Sequence, residues 1–297
     1  MLIALLIPLG LAIALYTIVL VREVLASKAT PGREAVLLGA VTNFFDTLGI
    51  GSFAPTMAWF KFRKLVPDRL IPSTMLVGHT PPAMLQGFIF LILLGVMVEP
   101  VLLIGCVLAL LMGGLLGAPL VGKVRLWVVQ AIVAAALLLA AILYAVNNLD
   151  MMPGGGTATG LPPDLMVVAI VANFIFGLLL NFGVGNYAPT LALLSLMGMD
   201  PRLCFPIMAA GAGLCGSGAS IRHIRLGQLD LKVAIGLTLG GIPAVLIAAF
   251  IVRDMPLEWL RWLVMIVVLY AASVMARSAW VGRRGEEPPL TPEAVAS

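Results

Sequence analysis

Charge is scarce in this chain. Lys, Arg, Asp and Glu make up 11% of its 297 residues, where a soluble domain carries about 25%. So few charged groups cannot cover a water-facing surface. Cysteine is scarce too. Cys106, Cys204 and Cys215 all lie in apolar runs and at no metal-ligand spacing, which leaves them as small core residues and implies no metal site. There is no ATP-binding P-loop, no His-Glu-x-x-His and no nucleophile with a paired histidine. No catalytic residue and no cofactor is therefore expected, and the chain does not read as an enzyme. No basic patch is interleaved with aromatics, so nucleic acid is not an expected partner. The alternating segments of about ten residues that build a membrane β-barrel are missing as well.

Apolar sequence is what the chain has in abundance. It is 61% hydrophobic, with a mean hydropathy of +1.11. Apolar runs fall at about 2–21, 35–60, 70–97, 100–122, 126–146, 164–197, 203–220, 232–252 and 257–277. Several approach the ~20 residues needed to cross a bilayer. The expected fold class is an all-α polytopic membrane protein, with the lipid bilayer as its first partner. No basic residue precedes the first run, which reads as a span rather than a cleaved leader.

The net charge is only +4, but its placement is informative. Arg22, Lys28 and Arg33 follow the first run, and Lys61, Arg63, Lys64 and Arg69 follow the second. Lys123 and Arg125, then Arg222, Arg225 and Lys232, and finally Arg277, Arg283 and Arg284 mark further basic boundaries. Segments 98–100 and 147–163 carry no Lys or Arg. Basic loops favour the cytoplasmic side. A full span over 35–60 would put basic loops on both faces. A re-entrant hairpin that turns near Gly49–Gly51 removes the conflict, and 164–197 behaves likewise from the other face. The N-terminus is then outside and the C-terminus inside the cytoplasmic membrane. A rival topology makes both segments ordinary kinked spans and violates the charge rule once.

The two segments are copies. Gly49-Ile50-Gly51-Ser52-Phe53-Ala54-Pro55-Thr56 matches Gly183-Val184-Gly185-Asn186-Tyr187-Ala188-Pro189-Thr190. The register holds through Ala58/Ala192, Pro67/Pro201 and Pro72/Pro206. The charge pattern makes this an inverted-topology repeat. An N-terminal repeat covers 1–122 with its re-entrant segment at 35–62. A C-terminal repeat covers 123–252 with its re-entrant segment at 164–197. A further helix at 253–279 and a cytoplasmic tail at 280–297 complete the chain. Paired, helix-breaking segments at matching places are the best sequence pointer to a transport site.

The motif suits an anion. Gly49 and Gly51 permit unusual backbone angles, and Pro55 fits the first turn of a new helix beginning near Ser52 or Phe53. A helix starting at membrane depth points its N-terminal amides and dipole at whatever lies there. Gly49, Gly51, Ser52 and Phe53 in the first copy, and Gly183, Gly185, Asn186 and Tyr187 in the second, are the candidate substrate-binding residues. Gly and Pro used only for close packing is the structural alternative. Asn43, Asp46, His79 and Asn181 are candidate coupling or lining groups. Asp46 either carries a coupling proton or cation, or bonds the frayed backbone of the break. His79 is either an anion donor or proton carrier, or a buried neutral histidine. Pro81-Pro82 is expected to break the run at 70–97. Arg202 reads as an attractor of anions or a headgroup anchor.

The stretch Asn43-Phe44-Phe45-Asp46-Thr47-Leu48-Gly49-Ile50-Gly51-Ser52-Phe53-Ala54-Pro55, its echo at 183–190 and the number of runs resemble the TauE/SafE family of sulfite and organosulfonate exporters. The similarity covers about 35–277. It implies secondary transport of small sulfur oxyanions or sulfonates, with protons as a candidate coupling ion. A carrier of another small anion or metabolite, and a non-transporting membrane scaffold, are the competing functions. Homo-oligomerisation is left open.

Overall fold

The computed structural model describes residues 3–67, 70–117, 125–149, 156–180, 185–227 and 229–285. Eleven α-helices run in the order α1 (Ile3–Ser27), α2 (Arg33–Thr47), α3 (Phe53–Arg63), α4 (Ile71–Leu93), α5 (Pro100–Gly117), α6 (Leu126–Asn148), α7 (Pro163–Leu180), α8 (Tyr187–Leu196), α9 (Pro201–Leu226), α10 (Leu231–Asp254) and α11 (Leu257–Gly285). Among the described residues there is no β-strand beyond one isolated bridge, between Ala158 and Met199. Among the described residues seven helices, α1, α4, α5, α7, α9, α10 and α11, are long and apolar enough to cross a membrane. The all-α, multi-pass class read from composition is the one observed.

The chain divides into two compact units. One holds 1–100 and 205–255, the other 101–204 and 256–297. Each takes helices from both copies of the repeat.

In the first unit α2 lies against α10 through glycines. A methyl on Gly39 would overlap the Leu237 backbone, and one on Gly240 would overlap the backbone of Val36 and Ala40. Such small-residue contacts let membrane helices approach closely. α4 packs on α9 in the same way, with Gly87 against Ala209 and Ala210 and Gly213 against Met84. In the second unit α5 meets α7, where Gly113 lies against Phe174 and Gly177 against Leu110. The 134-residue offset maps α2 onto α7 and α10 onto α5. The same helix pairing is thus made once in each unit, with the contributing halves exchanged.

Both short-helix segments fold as hairpins. The end of α3 comes back to the start of α2, where Arg63 Nε and Trp59 Nε1 donate to Glu34 Oε1 at 2.9 and 3.0 Å. The hydrogen bonds from Arg63 and Trp59 hold the exposed Glu34 carboxyl below the usual carboxylate range. In the second unit the segment leaving α8 pairs with the one entering α7. Ala158 N–H donates to Gly198 O at 3.1 Å, and Asp200 N–H to Ala158 O at 3.0 Å. α2 and α3, at 15 and 11 residues, are each too short to span a bilayer.

The double proline does not break its helix, contrary to the sequence expectation. α4 is continuous from Ile71 to Leu93 with Pro81 and Pro82 inside it. Pro81 and Pro82 cannot donate to the carbonyls of Val77 and Gly78. Both carbonyls find hydroxyls on neighbouring helices instead. Tyr16 Oη of α1 donates to Val77 O at 2.7 Å, and Thr238 Oγ1 of α10 donates to Gly78 O at 2.9 Å. Proline is tolerated in membrane helices when neighbours satisfy the freed groups in this way.

Candidate functional site

The break between α2 and α3 is built from a helix stop and a helix start five residues apart. α2 ends in a Schellman motif. Gly49 has φ of 98°, its N–H donates to Asp46 O at 2.8 Å, and Ile50 N–H donates to Phe45 O at 3.0 Å. Glycine is favoured at this position because an L side chain resists the left-handed conformation. Gly51 repeats the requirement with φ of 87°. A methyl placed on it would meet nothing within 4 Å. α3 then starts at Phe53, and its first internal bond runs from Thr56 N–H to Ser52 O at 3.2 Å. Pro55 has no N–H to lose in this first turn.

Polar side chains gather behind the break. Asp46 Oδ1 accepts the Ser52 N–H at 2.7 Å, and its Oδ2 accepts from Gln86 Nε2 of α4 at 2.9 Å. Gln86 also donates to Thr47 Oγ1 at 2.9 Å. The carboxylate therefore sits at the N-terminus of α3, where a helix dipole favours negative charge. His79 of α4 reaches both helices of the hairpin, at 3.0 Å from Asn43 Oδ1 through Nδ1 and 3.0 Å from Thr56 Oγ1 through Nε2. The Phe53 ring lies 5.7 Å from the His79 ring, centroid to centroid. Asn43, Asp46, Ser52, Thr56, His79 and Gln86 are all buried. Of the sequence candidates, Asn43, Asp46, Gly49, Gly51, Ser52, Phe53 and His79 form one constellation. Thr56 and Gln86 complete it, and neither is prominent in the sequence reading. Thr56 was visible there only as a residue retained in both copies.

The second break is described in part, since Asn181 and Gly183 lie outside the described residues. α8 starts at Tyr187 after Asn186, and Thr190 N–H donates to Asn186 O at 3.0 Å. Gly185 is exposed, and a methyl on it would meet nothing within 4 Å. Unlike Gly51, it has no left-handed φ. Asn186 and Tyr187 are buried. Thr190 Oγ1 donates to Asn173 Oδ1 at 3.3 Å, and Asn173 Nδ2 donates to Ala169 O at 2.9 Å. Arg202 is paired with Asp200, its Nη2 and Nε lying 2.9 and 3.3 Å from Oδ2. That pairing already neutralises the guanidinium.

A helix that stops and restarts inside an apolar hairpin, with seven candidate spans and no β-strand among the described residues, defines a polytopic membrane protein with an interrupted helix. The family model described as sulfite exporter TauE/SafE matches residues 165–296. This is the family that the first motif resembles, and the matched region contains the second motif. No curated protein and no solved structure matches the chain.

Proposed function

We propose that this chain is a secondary transporter that moves small sulfur-containing anions, such as sulfite or sulfonates, across the cytoplasmic membrane. The observation that carries the reading is the duplicated Gly-x-Gly-x-x-Ala-Pro-Thr sequence, within which a helix restarts at Phe53 in the first copy and at Tyr187 in the second. The match to a family described as sulfite exporters supports the substrate class. At α3 the amides of Phe53 and Ala54 precede the first intrahelical bond, and an open approach over Gly51 leads to that end. Backbone donors and a helix dipole recognise an oxyanion without a buried Arg or Lys. Gly185 gives α8 the same open approach.

Asp46 sets a condition on this end of α3. Its carboxylate already accepts from Ser52, and a second negative charge beside it is repelled. Anion entry is therefore favoured when Asp46 carries a proton, which makes protons the natural coupling ion. The test is flux of radiolabelled sulfite into proteoliposomes, with and without a pH gradient. Saturable flux that responds to the gradient supports the reading. Flux no greater than in protein-free vesicles for sulfite and for a short sulfonate overturns it.

A further inference from the structure

The two hairpins anchor their motif threonines by different routes. Thr56 and Thr190 occupy matched positions in the repeat. In the second hairpin Thr190 bonds Asn173 directly. The residue matched to Asn173 in the first hairpin is Gly39, and a side chain there would run into the Leu237 backbone. The asparagine of the first hairpin stands one turn later, at Asn43, whose match in the second is Gly177. His79 bridges the resulting gap, and its own match is Gly213. Three positions differ between the copies, and together they preserve one function, an asparagine holding the threonine of Ala-Pro-Thr.

We propose that His79 is a positioning residue, a neutral imidazole protonated on Nδ1 that ties Thr56 of α3 to Asn43 of α2. It does through α4 what the Asn173–Thr190 bond does directly in the second hairpin. The hydrogen-bond network fixes the tautomer. Asn43 Nδ2 donates to Gly39 O at 2.8 Å, so Asn43 Oδ1 is the atom facing His79 and requires a donor. His79 Nδ1 must carry the hydrogen, and Nε2 is left to accept from the Thr56 hydroxyl. Each ring nitrogen is thereby committed. Asp46, the buried carboxyl of α2, is turned to Ser52 and Gln86. The charges of α3 and α10, namely Lys61, Arg63, Lys232, Arg253 and Asp254, stand in the terminal turns of those helices.

The inference stands on this geometry and goes beyond the transport reading. It is tested on the intact protein in bilayers with 15N-labelled histidine. The chain has two histidines, and a His223→Gln variant assigns the signals. The Nδ1–H tautomer is expected, with no titration of His79 between pH 5 and 8. Thr56→Val should raise amide exchange in 53–63 at least fivefold while Thr56→Ser restores it. His79→Ala combined with Thr56→Val should add nothing to either alone. An Nε2–H tautomer, a titration inside that window, or unchanged exchange in Thr56→Val overturns the assignment. None of these readouts needs a substrate, so a failure of anion flux leaves them standing.

Discussion

Replacing Tyr16 by Phe should destabilise the protein through a carbonyl sixty-one positions away. The phenol oxygen donates to Val77 O at 2.7 Å, and both residues are buried. Pro81 denies that carbonyl its helical partner, so the variant leaves it with no donor. A buried group stripped of its partner costs ~1–3 kcal/mol, whereas interhelical bonds in bilayers average ~0.6 and reach ~1.7 kcal/mol. The lower figures reflect reference states that offer substitute partners, and Pro81 removes the backbone one here. We therefore expect about 1.5 kcal/mol, read from equilibrium unfolding in mixed micelles. The decisive control is the Pro81→Ala background, in which residue 81 regains an N–H for Val77 O. There Tyr16→Phe should cost no more than ~0.5 kcal/mol, because the carbonyl keeps one donor. Equal costs in the two backgrounds would refute the compensation argument.

Further outcomes follow from the same geometry. Gly185→Ala should fold normally, since its methyl enters open space without backbone strain, yet lower anion flux; unchanged flux counts against a role for that approach. Gly51→Ala should cost ~1–2 kcal/mol of stability from its left-handed φ,, seen as a lower unfolding midpoint. Asp46→Asn should flatten the pH dependence of flux in proteoliposomes, whereas the parent should transport faster as the anion-facing side is acidified. Glu34 has its carboxyl held low by Arg63 and Trp59, so the hairpin latch is complete above the free-carboxyl value of ~4.3. It is lost as pH falls through the lower folded value. Trp59 fluorescence should report that acid transition, and Glu34→Gln should abolish it. Single cysteines at Lys61 and Thr159 should label from the cytoplasmic and outer sides respectively, as the Lys/Arg distribution requires.

The parts of this fold that were legible in the sequence are those set by local chemistry. Gly49, Gly51 and Pro55 stop one helix and start the next within a few residues, and the 134-residue repeat flags the same event at 185–189. The clash of basic loops on both sides of 35–60 pointed to a hairpin, and Glu34 meeting Arg63 closes one. Pro81-Pro82 was misread as a break because the groups that repair it, Tyr16 and Thr238, are remote in sequence. His79 was ambiguous for a similar reason. Its ring nitrogens are committed to Asn43 and Thr56, on two other helices, and no local pattern announces such a link. Asp46 stood out as an intramembrane carboxylate, and its bond to the Ser52 N–H is the local contact with the break that the sequence already offered; Gln86 joins it only once α2 and α4 pack together.

Flux of radiolabelled sulfite in proteoliposomes, compared between the parent and Gly185→Val, tests the central claim most directly. The account predicts saturable, proton-dependent flux in the parent and near-complete loss in a variant that still purifies as a folded protein. Equal flux in both proteins, or none in the parent above empty vesicles, would contradict it.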